Sequence, residues 1–551
     1  MAEPKFFQFR MLSSLAKVFH NRIYGLSSRS AEAAQGQEIS FQIAFRVNAP
    51  RYTKHPFRIA VSSPLADQVA LYRVGNVPSR LPVYPERQDK NYLTNVPGLF
   101  PDPLFPLEQD TIQGIMGSWT SLWVSVKIPA DCPAGNYPVQ ISFLDMVADE
   151  SVMATMTYRI TVHAVSLPAQ KLIFTQWFHC DCIADVHGVP VFSEAHWALI
   201  GKYMRLAAEH GMNMILTPVV TPPLDTAVGG ERPTVQLVDI EKNGDRYTFG
   251  FDRLQRYVEM ALSYGIRYFE ISHLFTQWGA AHAPKVVATV NGKEQRIFGW
   301  ETDACGEEYA SFLRQFVPAT LAYLKSLGLA ESQIYFHVSD EPRPIHLEAY
   351  QAAHGILIPL IGGCKHMDAM SKYDFYKNGL VQTPVISIDH IEPFVEAKVS
   401  GLWAYYCCSQ CVNVSNRFFA MPSSRNRIIG VLLYKYDIAG FLQWGYNFYY
   451  SQRSVRKLNP YFDTDADMSF PSGDSFSVYP YGDDVIPSLR QKVFANALED
   501  IRLLERLEEK LGRDRVIEEL DRVAGEPLTF TSYPIDERFF ERLYQFIFEN
   551  L

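Results

Sequence analysis

Apolar and polar residues alternate with a period of two over residues 40–47 (SFQIAFRV), 121–128 (SLWVSVKI), 139–143 and 156–162, the spacing of half-buried strands. Between two of these runs lies Pro129-Ala130-Asp131-Cys132-Pro133-Ala134-Gly135-Asn136-Tyr137, whose prolines and glycine turn the chain back antiparallel. The pattern predicts a β-sandwich domain over residues 1–166. Its proline-rich stretch 78–106 reads as an ordered loop, or as a cover for the neighbouring domain.

After Ser166-Leu167-Pro168 the period changes. Short apolar runs now alternate with segments of helical spacing, the pattern of parallel strands joined by crossovers. Eight candidate strands can be counted, at 171–178, 212–219, 268–275, 333–339, 363–369, 385–390, 401–406 and 440–448. Eight is the number a (β/α)8 TIM barrel needs, and the barrel is expected over residues 167–485. Helices predicted at 194–210 and 251–264 carry apolar stripes (Met204, Leu206, Ala207; Leu254, Tyr257, Val258, Ala261) that read as core. Helical runs at 486–511, 513–523 and 537–548 make residues 486–551 a helical extension packed on the barrel.

Composition narrows the function classes. A chain of 551 residues, 47% hydrophobic and 20% charged, fits a globular protein of two or three domains. The net charge of -9 and scattered Lys and Arg provide no basic stripe, which argues against nucleic acid as a partner. Residues 1–30 mix Lys5, Arg10, Lys17 and Arg22 with apolar residues rather than presenting a signal-peptide core, so a cytoplasmic protein is expected. The longest charge-free apolar run, 356–363, is too short to cross a bilayer. The eight cysteines include the clusters Cys180/Cys182 and Cys407/Cys408/Cys411, but only Cys408–Cys411 has C-x-x-C spacing. Buried free thiols are therefore expected rather than a metal site. With no glycine-rich phosphate loop, no cofactor is expected either. Oligomeric state is left open.

The chemistry concentrates where the strand at 333–338 runs into Ser339-Asp340-Glu341-Pro342. Two adjacent carboxylates fall at the carboxyl end of a parallel strand, the catalytic end of a barrel. The alternative is a helix-capping Asp340 beside a solvated Glu341. Polar and aromatic residues gather at the same end of other strands: His179 and Asp181, His273 and Trp278, Tyr405 and Tyr406, Trp444 and Asn447. Because neighbouring residues on a strand point to opposite sides, Asp340 and Glu341 cannot serve one reacting atom unless the backbone turns there.

In their order along the chain, several short motifs resemble glycoside hydrolase family 123 and its relatives of unknown function. They are Asp340-Glu341 after strand four, Gly440-Phe441-Leu442-Gln443-Trp444-Gly445-Tyr446-Asn447 at strand eight, Ser472-Gly473-Asp474 followed by Val478-Tyr479-Pro480, and Ser488-Leu489-Arg490 leading to Leu498-Glu499-Asp500. The resemblance spans roughly residues 38–510. It implies a sandwich-plus-barrel fold and β-N-acetylgalactosaminidase activity by substrate-assisted retention, in which the sugar's 2-acetamido oxygen attacks the anomeric carbon. Glu341 would then be the acid/base, kept protonated by its acidic neighbour, and Asp340 would orient the acetamide N–H. The chain departs from the family pattern at Gly473-Asp474-Ser475, where Gly-Asp-Gly is expected, and at Ala495-Asn496-Ala497, where Arg-Asp-Gly is expected.

Substrate-binding candidates are Trp444 as a floor for the ring, Asn447 and Asp474 for hydroxyls, Trp278, His179 and His273, and Tyr405 or Tyr406 for the acetamide carbonyl. Only one of the two tyrosines can face inward. For each aromatic the alternative is core packing. His179, His273 and His337 read as orienting or core residues, and Asp474 equally suits a turn. The expected substrate is a small oligosaccharide or glycoconjugate. Two competing readings stand beside this one: a glycosidase for a sugar without an acetamide, using Asp340, Asp181 or Asp437 as nucleophile or base, and a non-catalytic carbohydrate-binding protein.

Overall fold

The computed structural model describes residues 6–48, 53–147 and 149–551; Lys5 lies outside them. The first part of the chain builds two five-stranded sheets. One orders the strands Phe7–Ser13, Glu38–Val47, Trp119–Lys127, Val69–Ser79 and Gly98–Pro106, and the other Ser30–Gln35, Val152–Ser166, Gly135–Asp145, Lys54–Ser62 and Thr111–Ile115. The alternation read from the sequence sends Phe41, Phe45, Leu122 and Val124 from one sheet into a common core with Phe57, Val139, Phe143 and Ile160 from the other.

The proline-rich stretch divides in two. Gly98–Pro106 is an edge strand, where a missing N–H costs no ladder bond, and so it tolerates three prolines. Residues 80–97 cross to the barrel, where Tyr84 Oη donates to Ser469 O at 2.9 Å, Arg87 to Ser409 O at 2.7 Å and Tyr92 Oη to Cys411 O at 2.7 Å. This segment covers its neighbour.

The second part is a nearly closed sheet of eight parallel strands: β1 (Ile173–Gln176), β2 (Met214–Thr217), β3 (Tyr268–Ile271), β4 (Ile334–Phe336), β5 (Lys365–Met370), β6 (Thr383–Ser387), β7 (Trp403–Tyr405) and β8 (Gly440–Gln443). Their order is β1-β8-β7-β6-β5-β4-β3-β2, and each falls within or overlaps a run counted in the sequence. The β1/β2 seam is bridged by Asn213. Its Oδ1 accepts from Phe174 N at 2.8 Å, its Nδ2 donates to Leu172 O at 2.9 Å, and its backbone N donates to Phe174 O at 3.2 Å. Alternate side chains point inward, so Leu216, Tyr335, Met367, Val385, Trp403 and Leu442 fill the barrel while Ile215, Phe269, Ile334, Ile386 and Phe441 face the helices.

Helices Glu194–Glu209 and Asp252–Ser263 form where expected, the first capped by Ser193, whose side chain accepts from His196 N. A four-stranded sheet from Asp239–Asn243, Arg246–Gly250, Val286–Val290 and Lys293–Phe298 was not anticipated; it is built from the excursions after β2 and β3. The helix expected from residue 486 begins at Leu489, because Asp484–Pro487 pairs with Val478–Tyr481 in a hairpin and Ser488 caps the helix. Helices Arg513–Ala524 and Arg538–Asn550 follow. Arg490 on the long helix meets Asp102 of the edge strand through two bonds at 2.8 and 2.9 Å, both groups buried, which ties the two parts together. No helix among the described residues is long and apolar enough to cross a membrane.

Candidate active site

A cavity of about 490 Å³ opens at the carboxyl ends of the barrel strands. Asp340, Glu341, Trp444, Tyr405, Trp278 and His179 line it; Asn447, Tyr406, His273 and Asp474 do not. The two carboxylates reach it together because the backbone turns. Glu341 takes a left-handed conformation with φ 44°, so consecutive side chains that would diverge on a strand both face the opening. Such a conformation costs a non-glycine residue about 1–3 kcal/mol. Surrounding bonds hold it: Glu341 N donates to Ala369 O at 3.2 Å, Trp278 N donates to Asp340 O at 3.0 Å, and the Tyr405 hydroxyl donates to Glu341 Oε1 at 2.7 Å.

The two carboxyls differ in their surroundings. Among the described residues no donor reaches the Asp340 carboxylate, and burial together with the neighbouring Glu341 charge pushes its pKa well above the ordinary carboxylate range. Burial, reinforced by Glu341, also raises Tyr405 well above an ordinary phenol, so Tyr405 keeps its proton and acts as a donor. Tyr406, on the other face of the strand, bonds Asn426 in the helix layer at 3.5 Å.

Beneath this turn lies a charged network that the sequence reading did not assign. Asp368 of β5 accepts from Val338 N at 3.1 Å and Ser339 N at 3.2 Å, fixing the end of β4, and from Tyr350 Oη at 2.5 Å. His337 lies between Glu270 Oε1 at 2.7 Å and Asp368 Oδ1 at 3.4 Å. Burial opposes its charge, but the bonds to Asp368 and Glu270 outweigh it and hold its pKa up at about 10, so it is an imidazolium. His273 stacks on that ring at 4.2 Å, fully buried, and burial with the His337 charge drives its pKa well below the usual value. Glu270 also accepts from Trp177 Nε1 at 2.6 Å, which fixes one wall of the cavity.

The remaining candidates act through neighbours. Asp474 is buried behind Trp444 and accepts from its indole Nε1 at 2.9 Å; burial raises its pKa to about 7 despite Arg417 and the indole bond. Asn447 clamps the end of β1, accepting from His179 N at 2.9 Å and donating to His179 O at 3.0 Å. Arg232 donates to His179 Nδ1 at 3.2 Å, so the ring's other nitrogen donates to Trp444 O at 3.1 Å. Burial and the Arg232 charge lower His179 to about 3, leaving it neutral. Asp181 is fully engaged by Arg232, at 2.7 and 2.8 Å. Asp437 is 93% exposed and precedes β8, at the end of the barrel away from the cavity. Neither is placed to act on a sugar in this cavity. The eight cysteines are free thiols, two of which, Cys407 and Cys408, line the cavity. Among the described residues no group of three or more His, Cys, Asp or Glu is arranged to hold a metal.

Residues unassigned from the sequence also line the cavity, notably Trp177, Asp225, Gln277 and Arg453. Asp225 (φ 41°), Trp278 (58°) and Arg453 (59°) share the left-handed backbone of Glu341 (44°), so strain collects around this opening.

The chain is similar over its length to the solved structure of a family 123 glycoside hydrolase from Clostridium perfringens, described as revealing details of glycolipid glycan hydrolysis. The alignment covers 98% of each chain at 15% identity with a TM-score of 0.73, a likeness of fold. A β-glucuronidase from Parabacteroides merdae aligns over 90% of this chain and 52% of its own, at 11% identity and a TM-score of 0.32, too loosely to carry weight. No curated protein sequence matches the chain. The model described as "Glycoside hydrolase 123, catalytic domain" matches residues 177–507, which include Asp340, Glu341 and most of the cavity wall, and the chain therefore belongs to glycoside hydrolase family 123.

Proposed function

We propose that this glycosidase releases β-linked N-acetylgalactosamine with retention of configuration, using the sugar's own acetamide oxygen as nucleophile. The observation that carries this reading is the left-handed turn at Glu341, which gives two consecutive carboxyls access to one cavity. A short covalent link between them suits two groups that attend adjacent positions of one sugar: Asp340 the acetamide N–H at C2, Glu341 the leaving oxygen at C1.

The proton balance supports the same division. In the free enzyme Asp340 is disposed to hold a proton and Glu341 receives the Tyr405 hydrogen bond. An acetamide N–H donated to Asp340 favours that carboxylate's charged form. The proton then moves to Glu341, beside the leaving oxygen, ready for general-acid catalysis. Trp444, half-buried and held by Asp474, offers a flat face to the ring. The glycan-hydrolysing C. perfringens relative supports a short oligosaccharide or glycoconjugate as substrate.

Hydrolysis of paired aryl β-N-acetylgalactosaminides and β-N-acetylglucosaminides, with and without a thiazoline mimic of the oxazolinium ion, tests the proposal. The expected result is preferential galactosaminide cleavage that the thiazoline blocks. Glu341→Gln should abolish turnover of substrates with poor leaving groups and lose less on activated aryl glycosides. A covalent glycosyl-aspartate adduct, or full activity in Glu341→Gln, would overturn it.

A further inference from the structure

Beside the acidic turn, a second polar pair lines the same cavity. Gln277, after β3, is only 8% exposed, and its side chain lines the cavity. Its Oε1 accepts from Asp225 N at 2.6 Å. A backbone N–H can only donate, so this bond fixes which end of the amide is oxygen and leaves Nε2 on the other side. That Nε2 is buried and has no partner among the described residues. An unpaired buried donor is unfavourable, and that cost is relieved when an acceptor occupies the space beside it.

Asp225 presents the complementary group. One of its carboxylate oxygens, Oδ2, accepts from Arg453 N at 3.0 Å, while Oδ1 has no donor among the described residues. The loop is anchored on three sides, by Gln277, by Arg453 N and by Ser454 Oγ, which donates to Asp225 O at 2.7 Å. Asp225 and Arg453 both hold left-handed backbone conformations there, so the acceptor's position is enforced rather than relaxed.

A fixed acceptor beside a fixed, unpaired donor matches a hydroxyl group, which is both donor and acceptor, or two hydroxyls side by side. The three carboxyls of the cavity, Asp225, Asp340 and Glu341, disfavour an anion. The ligand class is therefore a neutral polyol. Asp225 is close enough to Asp340 to bear on its charge. With the acetamide at C2 beside Asp340, the next ring positions are C3 and C4.

We propose that Asp225 and Gln277 form a hydroxyl-reading subsite for C3 and C4 of the bound sugar, and so determine which N-acetylhexosamine the enzyme accepts. This rests on the function proposed above for Asp340 and Glu341.

The test is a cycle on an aryl N-acetylgalactosaminide and its 3-deoxy and 4-deoxy analogues, with the parent enzyme, Asp225→Asn and Gln277→Glu. The glutamate keeps the acceptor for Asp225 N and removes the donor. A hydrogen bond to a charged group should make the parent lose roughly 10–100-fold in kcat/KM on at least one deoxy analogue. Asp225→Asn should lose a similar factor on the intact substrate, and less than about 3-fold more when that hydroxyl is also missing. Penalties that simply multiply, or discrimination preserved in both variants, would overturn the subsite while leaving the proposed reaction intact. If Asp225→Asn does not fold, Gln277→Glu carries the same cycle. A parent that cleaves no N-acetylhexosaminide would instead remove the proposed reaction. Calorimetric binding of galactose and its 3- and 4-deoxy forms then reads the subsite alone: discrimination that vanishes in the variants supports it, and equal binding of all three or no binding rejects it.

Discussion

Glu341 and Tyr405 stand at the ends of β4 and β7, which are separated in the sheet by β5 and β6, yet the Tyr405 hydroxyl donates to Glu341 Oε1 at 2.7 Å. The bond spans the barrel mouth and sets the direction in which the Glu341 carboxyl points. Tyr405→Phe should lower kcat roughly 10–100-fold on a substrate with a poor leaving group and only a few-fold on an activated aryl glycoside, with KM little changed. Equal losses on both substrates would mean that Tyr405 serves something other than proton transfer.

Trp444 depends on Asp474 in a similar way, at 2.9 Å. Asp474→Asn retains an acceptor for the indole and should leave KM within about 3-fold, whereas Asp474→Ala frees the ring and should raise KM about 10-fold. Michaelis constants for the two variants check this, with tryptophan fluorescence reporting the ring's mobility. Similar KM values in both variants would show that the indole is held by packing alone.

The His337 imidazolium makes stability depend on alkali. Its folded pKa of about 10 lies above the ordinary 6.5, so the folded state binds the proton more tightly than the unfolded one. The stabilisation is complete below pH 6.5 and is lost as the pH rises through about 10. Asp368 works in the opposite sense: its pKa is lowered, and its contribution, present above 3.8, is lost as acid protonates it. Urea unfolding at a series of pH values should show the stability gap between the parent and His337→Gln narrowing from neutrality to pH 10. A gap that stays constant would place the proton elsewhere.

Asn213 carries the seam of the barrel. Asn213→Ala leaves Phe174 N without its side-chain acceptor, while Leu172 O keeps a donor in Gln170 Nε2 at 3.0 Å, and should cost about 1–3 kcal/mol of unfolding free energy. Per folded molecule, kcat should hardly change. Chemical denaturation alongside active-site titration separates the two effects, and a loss below about 0.5 kcal/mol would show that the seam is held by other contacts.

The eight barrel strands were legible because each is a short apolar run ending in polar residues. Asp340, Glu341, Tyr405 and Trp444 could be found at those ends. Glu270 and Asp368 were not identified, although each left a signal: a lone carboxylate inside an apolar strand, in Tyr268-Phe269-Glu270-Ile271 and in Met367-Asp368-Ala369-Met370. Burial on that scale requires a partner; His337 and Tyr350 come from other elements, and His366 lies two residues before Asp368 on the same strand. Asp225 and Gln277 left less. They lie in long excursions after β2 and β3, whose four-stranded sheet has exposed strands of weak alternation, and only the nearly closed barrel brings them together. Asn447, Tyr406, His273 and Asp474 occur at the right positions in the chain, but their side chains turn into the supporting layer, which strand order alone does not specify.

The turn at Glu341 makes the chain itself the ruler for the two carboxyls. In a site assembled from different strands, the gap between two groups changes whenever the barrel breathes or a core side chain is exchanged. Here one peptide unit sets that gap, so core substitutions and warming can move the pair as a body without parting its members. Inserting or deleting a single residue between positions 339 and 342 would break the ruler, even in a barrel that otherwise folds unchanged.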